Sequence, residues 1–328
     1  MVVRYCLKQR GKTNEDRCIG RKSETKYTNN VHKIYLKSYI QCVIIIIEIR
    51  EEVTAVQTEK EFLSQYNIND YERPSLTADI VAFMMRSEES ENYKRDSDIR
   101  LSVLLIKRAG YPFKDCWALP GGFLQSNETV EECALREITE ETNVTPVSLM
   151  PVGVFSEPGR DPRGWIISNA YASVISEESV RQIGGDDASD AQWFDVHFEQ
   201  GEDGEHHLDL CYNGIKLSAV LTEEETRFGR TTFKIKDSGS LAFDHARIIA
   251  TALTVLREGA KDFDMIFDFL PEKFTLNALQ KVQETIMNIS VLPANFRRKI
   301  SGYVVETDEY TQGAGHRPAK LFKRRRIQ

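Results

Sequence analysis

One segment of the chain, residues 120–144, places several glutamates directly after two glycines: PGGFLQSNETVEECALREITEETNV. On a helical wheel of 100° per residue, Glu137 and Glu141 fall within the arc of apolar side chains, and Glu140 falls at its edge. Carboxylates that face a core are costly unless they are paired or bind a metal. Carboxylate oxygens grouped on one helix suit a hard divalent cation such as Mg²⁺. The alternative is a solvated acidic face, which the wheel disfavours because other polar side chains already occupy the solvent side.

From Gly122 onwards, the same segment has the form G-x5-E-x7-R-E-U-x-E-E-x-N-U, where U is an aliphatic residue. This pattern resembles the Nudix box, which has glycine at the position of Asn143. Asparagine is the commonest substitute for glycine in the left-handed conformation that ends many helices. We therefore expect Asn143 to follow the end of the helix and to leave the rest of the box intact.

The resemblance to the Nudix box implies a role for each matching position. Glu137, Glu140 and Glu141 are expected to bind Mg²⁺ or Mn²⁺, and which of them serves as a base is left open. The backbone around Gly121 and Gly122 is expected to approach the metal or a phosphate, since glycine has no side chain to obstruct it. Glu128 and Arg136 are expected to form a structural ion pair. The implied reaction is attack of water on a diphosphate linked to a nucleoside, assisted by the metal.

Two further loops carry groups that suit a nucleotide. The loop EPGRDPRGW contains Arg160 and Arg163, whose guanidinium groups match diphosphate oxygens, although a plain polar turn is an equal alternative. The stretch GGDDASDAQWF resembles a loop that lies over the site in Nudix proteins of the ADP-ribose type. Asp187, with Asp186 and Asp190, is there a candidate for a further acid, and a solvated turn is the alternative.

The patterns around these segments predict the elements that must position them. Strands are expected for five apolar, β-prone runs: SLTADIVAFMM, IRLSVLLIKR, LMPVGVFSEP, WIISNAYASVI and AQWFDV. An acidic loop is expected after AQWFDV, and LAFDHARIIATALTVLRE (241–258) predicts a helix that Gly259 ends. Strands interleaved with two helices indicate a mixed α/β domain. The box resemblance makes this domain a Nudix α/β/α sandwich.

The C-terminal part has a different pattern. FTLNALQKVQETIMN predicts a helix with Thr275 as its N-cap, ANFRRKISGY a short basic helix, and YVVETDEY and AKLFKRR two strands. Together they indicate a winged helix-turn-helix. A core of its own is expected from Phe296, Ile300, Val304 and Leu321, whereas a solubilising basic tail is the alternative. The candidates for contact with double-stranded DNA are five cations: Arg297, Arg298, Lys299, Arg317 and Lys320.

Composition and charge are typical of a globular protein that binds a polyanion. The chain has 328 residues and a net charge of −7, but residues 293–328 hold nine Lys/Arg against three acids. A strongly acidic middle and basic ends suggest a cation-using core and a polyanion-facing end. The run CVIIIIEI (42–49) is too short to span a membrane, so a strand is expected there. Six scattered cysteines favour reduced thiols and a cytoplasmic location.

The order of the segments resembles the Nudix-related transcriptional regulators. In that family a Nudix domain binds ADP-ribose or a related nucleotide and changes DNA affinity, often as a homodimer. The expected domains are an N-terminal extension (1–70), a Nudix domain (71–260) and a winged helix (261–328). The alternative is an Mg²⁺-dependent Nudix pyrophosphatase of the ADP-ribose type, whose C-terminal domain serves dimerisation.

Overall fold

The structure is a computed structural model that describes residues 36–45, 58–87, 99–146, 149–176, 191–225, 231–263, 265–311 and 318–325. Its contacts group the chain into two compact units, Met1–Glu72 and Arg73–Gln328. Asp186, Asp187, Asp190 and Arg317 lie outside the described residues. In the described part of the chain, no helix is long and apolar enough to cross a membrane.

The described residues of the first unit form two helices and a short turn. Helix α1 spans residues 36–45, helix α2 spans Glu59–Gln65, and a 3₁₀ turn follows at Ile68–Asp70. The strand expected for CVIIIIEI is wrong for residues 42–45, which are helical, and residues 46–49 lie outside the described residues. The error has a simple cause, because a short apolar run has no periodicity that separates strand from helix.

The second unit is built on a ten-stranded sheet. Along the sheet the strands follow the order β10-β9-β8-β7-β2-β1-β6-β5, with β3 paired to β2 and β4 paired to β1. Strands β1 and β6 are parallel, whereas β1 pairs with β2 and β4 in the antiparallel sense. The strands are β1 (Ser75–Ser87), β2 (Ile99–Lys107), β3 (Trp117–Ala118), β4 (Gly121–Phe123), β5 (Met150–Phe155), β6 (Ile166–Ile175), β7 (Ala191–Gln200), β8 (His206–Tyr212), β9 (Ile215–Glu225) and β10 (Thr231–Asp237).

Helices cover both faces of this sheet. Side chains of a strand alternate between its two faces, and in β1 both sets are buried. Ile80 joins a core cluster with Cys133, Ala134 and Ile138 of helix α3 (Val130–Thr142), whereas Phe83 joins the cluster of helix α4 (His245–Lys261). This arrangement confirms the expected α/β/α sandwich.

Three strands lie where an acidic loop was expected. Strands β8, β9 and β10 extend the sheet beyond β7, so the expectation of a loop is wrong. The missed signal is Asn213–Gly214, which joins β8 to β9 with φ of 43° and 80°. Positive φ at both central residues is the geometry of the two-residue hairpin turn that Asn-Gly favours.

Helix α4 differs from its prediction at both ends. It begins at His245 rather than Leu241 and continues through Gly259 to Lys261, so the expectation that Gly259 ends it is wrong. A Cβ atom at Gly259 would lie 2.5 Å from the Sδ atom of Met265. The glycine therefore serves close packing on the segment that follows the helix.

The C-terminal elements form the expected winged helix. Helix α5 (Leu276–Met287) is followed by helix α6 (Pro293–Ile300) and by the hairpin of β11 (Val304–Tyr310) and β12 (Lys320–Arg324). The Thr275 hydroxyl accepts the Ala278 N–H, as expected of the N-cap. Phe296, Ile300 and Val304 are buried as predicted, whereas Leu321 is half-buried and the neighbouring Phe322 packs on the core instead.

The winged helix shares one core cluster with the large sheet, which includes Phe296 and Ile300 as well as Phe83. A domain boundary at residues 260/261 therefore stays a prediction.

Candidate functional site

Helix α3 has well-defined ends, and these position the glutamates of the box. Thr129 and Glu132 form a capping box at its start. Asn143 follows its end with φ 57° and ψ 11°, in the left-handed region, which confirms the conformation expected at this position. The replacement of glycine by asparagine therefore leaves the helix, and the carboxylates on it, in place.

Arg136 is the centre of an ion-pair network on α3. Its Nε and Nη2 atoms bind both carboxylate oxygens of Glu128 at 2.9 and 2.7 Å. The Nη1 atom also binds Glu137 at 2.6 Å and Glu140 at 3.3 Å. The ion pair expected between Glu128 and Arg136 is present, and the same guanidinium also contacts Glu137 and Glu140. A planar guanidinium with five N–H donors serves three carboxylates at once.

The two glycines bring the backbone of β4 against α3. The Gly121 N–H donates to Oε2 of Glu141 at 2.9 Å. A Cβ atom at Gly122 would lie 2.3 Å from the carboxylate carbon of Glu137, so glycine is needed for this side chain to lie where it does. Glu141 as a whole is exposed, but partial desolvation of its carboxylate by the surrounding groups, with repulsion from Glu137 and Asp79, raises the pKa of Glu141 to about 7.

The side chains at this site are of the type that binds a divalent cation. Within the described residues, no group of three His, Cys, Asp or Glu side chains is arranged to hold a metal. Glu137 and Glu140 contact Arg136, and Glu141 contacts Gly121. Carboxylate oxygens are nevertheless the ligands that Mg²⁺ prefers. A metal at this site would require Glu137 and Glu140 to exchange the guanidinium of Arg136 for the ion.

A pocket of about 120 Å³ opens beside the glycines and contains both predicted arginines. Arg160 and Arg163 line it together with Arg108, and so do the acidic residues Asp79 and Asp161. The lining also includes Thr77, Leu119, Gly121, Gly122, Phe123, Phe243 and His245. The structure thus brings Arg160, Arg163 and Gly122 together, whereas Asp187 lies outside the described residues.

Each predicted arginine of the pocket is bound to a carboxylate. Arg160 binds Asp244 through two hydrogen bonds of 3.0 and 2.6 Å, and Arg163 binds Asp161 in the same two-pronged way. The guanidinium of Arg163 also lies over the ring of Phe123, 5.0 Å from its centroid. Arginine in this geometry matches planar oxyanions, carboxylate and phosphate alike.

Sequence reasoning missed the acidic and imidazole groups behind the pocket. Asp79 is buried in β1, where it accepts a short hydrogen bond from the Ser168 hydroxyl and lies 3.8 Å from Arg160. The Nδ1 atom of His245 accepts the Leu119 N–H at 2.8 Å, and burial lowers the pKa of this histidine. The only sequence signal for Asp79 is a single acid inside the apolar run SLTADIVAFMM.

A second surface, on the winged helix, carries the predicted DNA contacts. Arg297, Arg298 and Lys299 are exposed on α6, whose buried face consists of Phe296 and Ile300. Lys320, on the first residue of β12, is half-buried and binds Glu306 at 2.7 Å. Arg317 lies outside the described residues. The three cations of α6 thus form one exposed basic patch.

The Glu128–Arg136 ion pair makes a prediction for stability against pH. Hydrogen bonds from Arg136 lower the pKa of Glu128 from its ordinary 4.5 to about 2. A group with a lowered folded-state pKa stabilises the fold above its unfolded-state pKa and loses this contribution as the pH falls through the folded-state value. We expect Glu128→Gln to destabilise the protein at pH 7, and the difference from wild type to shrink from pH 4.5 towards pH 2. Denaturant unfolding of both proteins across this range measures it, and a constant difference would contradict the assignment.

Comparison with known proteins places these features in a family. Residues 80–207 match the NUDIX domain, and residues 266–323 match the NrtR DNA-binding winged helix domain. The ADPR responsive transcriptional repressor NtrR of Acinetobacter baylyi is 30% identical over 270 residues, which cover 81% of this chain and 88% of that protein. An ADP-ribose pyrophosphatase of Methanocaldococcus jannaschii is 47% identical over 95 residues, 29% of this chain and 55% of that enzyme.

A solved structure shows the same arrangement of elements. The crystal structure of a MutT/nudix family protein from Enterococcus faecalis superposes with a TM-score of 0.62 at 30% identity, covering 85% of this chain and 98% of that one. The match to the Acinetobacter protein extends over most of both sequences, and the two domain matches follow each other in the same chain. The chain therefore belongs to the NrtR family, in which a Nudix domain is followed by a DNA-binding winged helix.

Proposed function

We propose that the protein is a transcriptional regulator that binds ADP-ribose or a related nucleoside diphosphate and, through its winged helix, double-stranded DNA. The observation that carries the proposal is the pocket beside Gly121 and Gly122, which three arginines line together with the backbone of these glycines. Two-pronged guanidinium groups and exposed backbone are the groups that recognise a diphosphate. The relative in Acinetobacter baylyi is a repressor described as responsive to ADPR.

The basic patch of α6 supports the DNA part of the proposal. Its three cations are exposed on a helix that the buried Phe296 and Ile300 anchor, so the backbone that carries these charges has a fixed position. In helix-turn-helix proteins the second helix lies in the major groove, where arginine reads guanine and other cations contact phosphates. Such proteins commonly bind two half-sites as dimers, so we propose a homodimer. A role on DNA also fits the cytoplasmic location expected from the sequence.

A titration of DNA with the full-length protein tests this function. We expect binding to the DNA upstream of the protein's own gene cluster at low salt, and we expect ADP-ribose to change the affinity. Couplings between two sites are typically about 5- to 150-fold. The same factor must appear when ADP-ribose is titrated with and without DNA, because coupling is reciprocal. Failure to bind this DNA at low salt would contradict the regulatory function.

Metal-dependent hydrolysis at the same pocket is the second candidate function. It is favoured by the complete set of Glu137, Glu140 and Glu141 and by the identity of 47% with an ADP-ribose pyrophosphatase over 95 residues. In this proposal the three glutamates and the backbone of Gly122 bind Mg²⁺ or Mn²⁺. The ion would neutralise charge on the diphosphate and lower the pKa of a bound water. The C-terminal domain would then serve dimerisation if no DNA is bound.

A further inference from the structure

The loop that carries Arg160 is attached to the first turn of helix α4 by two ion pairs. Arg160 and Asp244 form the first, and their side chains are only 5% and 10% exposed. Glu157 and Arg247 form the second, with a close contact between Oε2 and Nη1. Asp244 is the residue that precedes α4, and its side chain makes no cap hydrogen bond to the helix. Its carboxylate is engaged with the pocket arginine instead.

The backbone at the start of α4 has an unusual conformation. Phe243 has φ of 51°, in the left-handed region that a bulky side chain rarely adopts. Asp244 has φ −99° and ψ 23°, rather than the extended conformation typical of an N-cap residue. Such conformations persist where the surroundings impose them, and they concentrate at binding sites and switch regions. Here the ring of Phe243 packs on Phe113, 4.7 Å between centroids, and Asp244 is fixed by Arg160.

The opposite end of α4 is hydrogen-bonded to the winged helix. Arg257 donates from Nε to the Ile286 carbonyl at 3.2 Å and from Nη2 to the Phe198 carbonyl at 2.8 Å. The buried side chain of Gln283, on α5, donates to the Ala260 carbonyl at 3.1 Å. One helix therefore connects the wall of the pocket to the first helix of the DNA-binding domain.

We propose that Asp244 competes with the diphosphate of the ligand for Arg160. Loss of the Arg160–Asp244 ion pair then transmits the binding of the ligand in the pocket to the winged helix. The inference rests on the proposed function in one respect, that the ligand is a nucleoside diphosphate. A phosphate group and the Asp244 carboxylate use the same two-pronged face of the guanidinium, so one excludes the other. Release of Asp244 removes one of the two ion pairs that fix the first turn of α4, and α5 moves with the helix.

A simpler role for Asp244 makes the opposite prediction. If Asp244 only orients Arg160 towards the ligand, its loss leaves the guanidinium disordered and weakens ligand binding. If Asp244 competes with the ligand, its loss uncovers a cation in the pocket and strengthens binding. The sign of the change in affinity therefore separates the two roles.

The variants Asp244→Asn and Asp244→Ser provide the test, because asparagine and serine are both favourable N-cap residues and keep the helix start while removing the charge. Calorimetric titration of the full-length protein uses two probes, ADP-ribose and inorganic diphosphate. We expect both probes to bind both variants about tenfold more tightly than wild type, the scale of a charge-assisted hydrogen bond. The DNA affinity of the ligand-free variants should already be shifted in the direction that ADP-ribose produces in wild type. Addition of ADP-ribose should then change the DNA affinity of these variants by a factor close to one.

Glu157→Gln is the matched control, because it breaks the second ion pair between the loop and α4 without uncovering a cation of the pocket. We expect its affinity for diphosphate to stay within about twofold of wild type, because the Glu157 side chain is 63% exposed and ion pairs to exposed carboxylates contribute little. A measurement on wild type needs no variant: inorganic diphosphate should speed hydrogen exchange of the amides in the first turn of α4.

Unchanged or weaker binding by the Asp244 variants, or slower exchange in wild type, would overturn the exchange mechanism. If wild type fails to bind ADP-ribose but the variants bind diphosphate more tightly, the proposed ligand is wrong and the exchange at Arg160 stands.

Discussion

The full-length protein with glutamine at both Arg297 and Arg298 is expected to bind its DNA far more weakly and to bind ADP-ribose normally. An arginine that contacts a base edge contributes about 1–3 kcal/mol, so two such residues account for about 2–6 kcal/mol of specific binding. Both side chains are exposed on α6, and neither packs in the core, so the fold should not change. Fluorescence anisotropy with the DNA upstream of the gene cluster measures the loss.

A double variant elsewhere on the surface controls for the change in net charge. Lys234→Gln with Lys236→Gln removes the same number of charges from strand β10, at one edge of the sheet. If DNA binds through α6, this control retains nearly all of its affinity. Equal losses in the two double variants would show only a general response to charge, and would contradict α6 as the contact surface.

The salt dependence adds a second readout for the same pair of variants. Loss of a phosphate contact lowers the slope of log affinity against log salt by about one for each contact. Loss of a base contact instead lowers the discrimination between the specific and an unrelated duplex. Arg297 and Arg298 can therefore be assigned separately to bases or to phosphates when each is replaced alone.

Local patterns in the sequence were sufficient for much of the fold. The cap of α5 at Thr275 and the left-handed Asn143 depend on residues within one helical turn, and both were predicted correctly. The apolar faces of α3 and α6 follow from helical periodicity in the same way, but the wheel is wrong for Glu141, which it places within the apolar arc and which is exposed. Strands β8 to β10 were missed because their polar and acidic side chains hide the alternation, although Asn213–Gly214 marks the turn.

The pocket was less predictable, because its contacts join residues far apart in the chain. Arg160 was identified from its loop, but its partner Asp244 lies 84 residues later and directly before a helix, where an acid is expected for capping alone. Asp79 sits in a buried strand that no local rule connects with the loop. Arg136 illustrates the same limit within one segment, since residue spacing does not show that one guanidinium contacts Glu128, Glu137 and Glu140 together.

If the pocket hydrolyses its ligand, Glu141→Gln is expected to lower the Mg²⁺-dependent hydrolysis of ADP-ribose by at least about 10²-fold, the lower range for loss of a catalytic acid or base. The fold should survive, because the amide oxygen of the substituted side chain can accept the Gly121 N–H that Glu141 accepts in wild type. Binding of ADP-ribose without metal should also survive, because the pocket arginines remain.

The matched control for this variant is Glu131→Gln on the same helix. Glu131 is exposed and accepts the Tyr171 hydroxyl at 3.0 Å, a bond that glutamine retains, and it lies outside the group formed by Glu137, Glu140 and Glu141. The Glu131→Gln variant should therefore hydrolyse ADP-ribose at the wild-type rate. Release of AMP and ribose 5-phosphate, followed with Mg²⁺ and with a chelator, measures all three proteins. Equal and metal-independent turnover in wild type and Glu141→Gln would remove the glutamates from the reaction. Absence of turnover in wild type would show that the pocket only binds its ligand. Control of DNA binding by ADP-ribose would then be the function of the pocket.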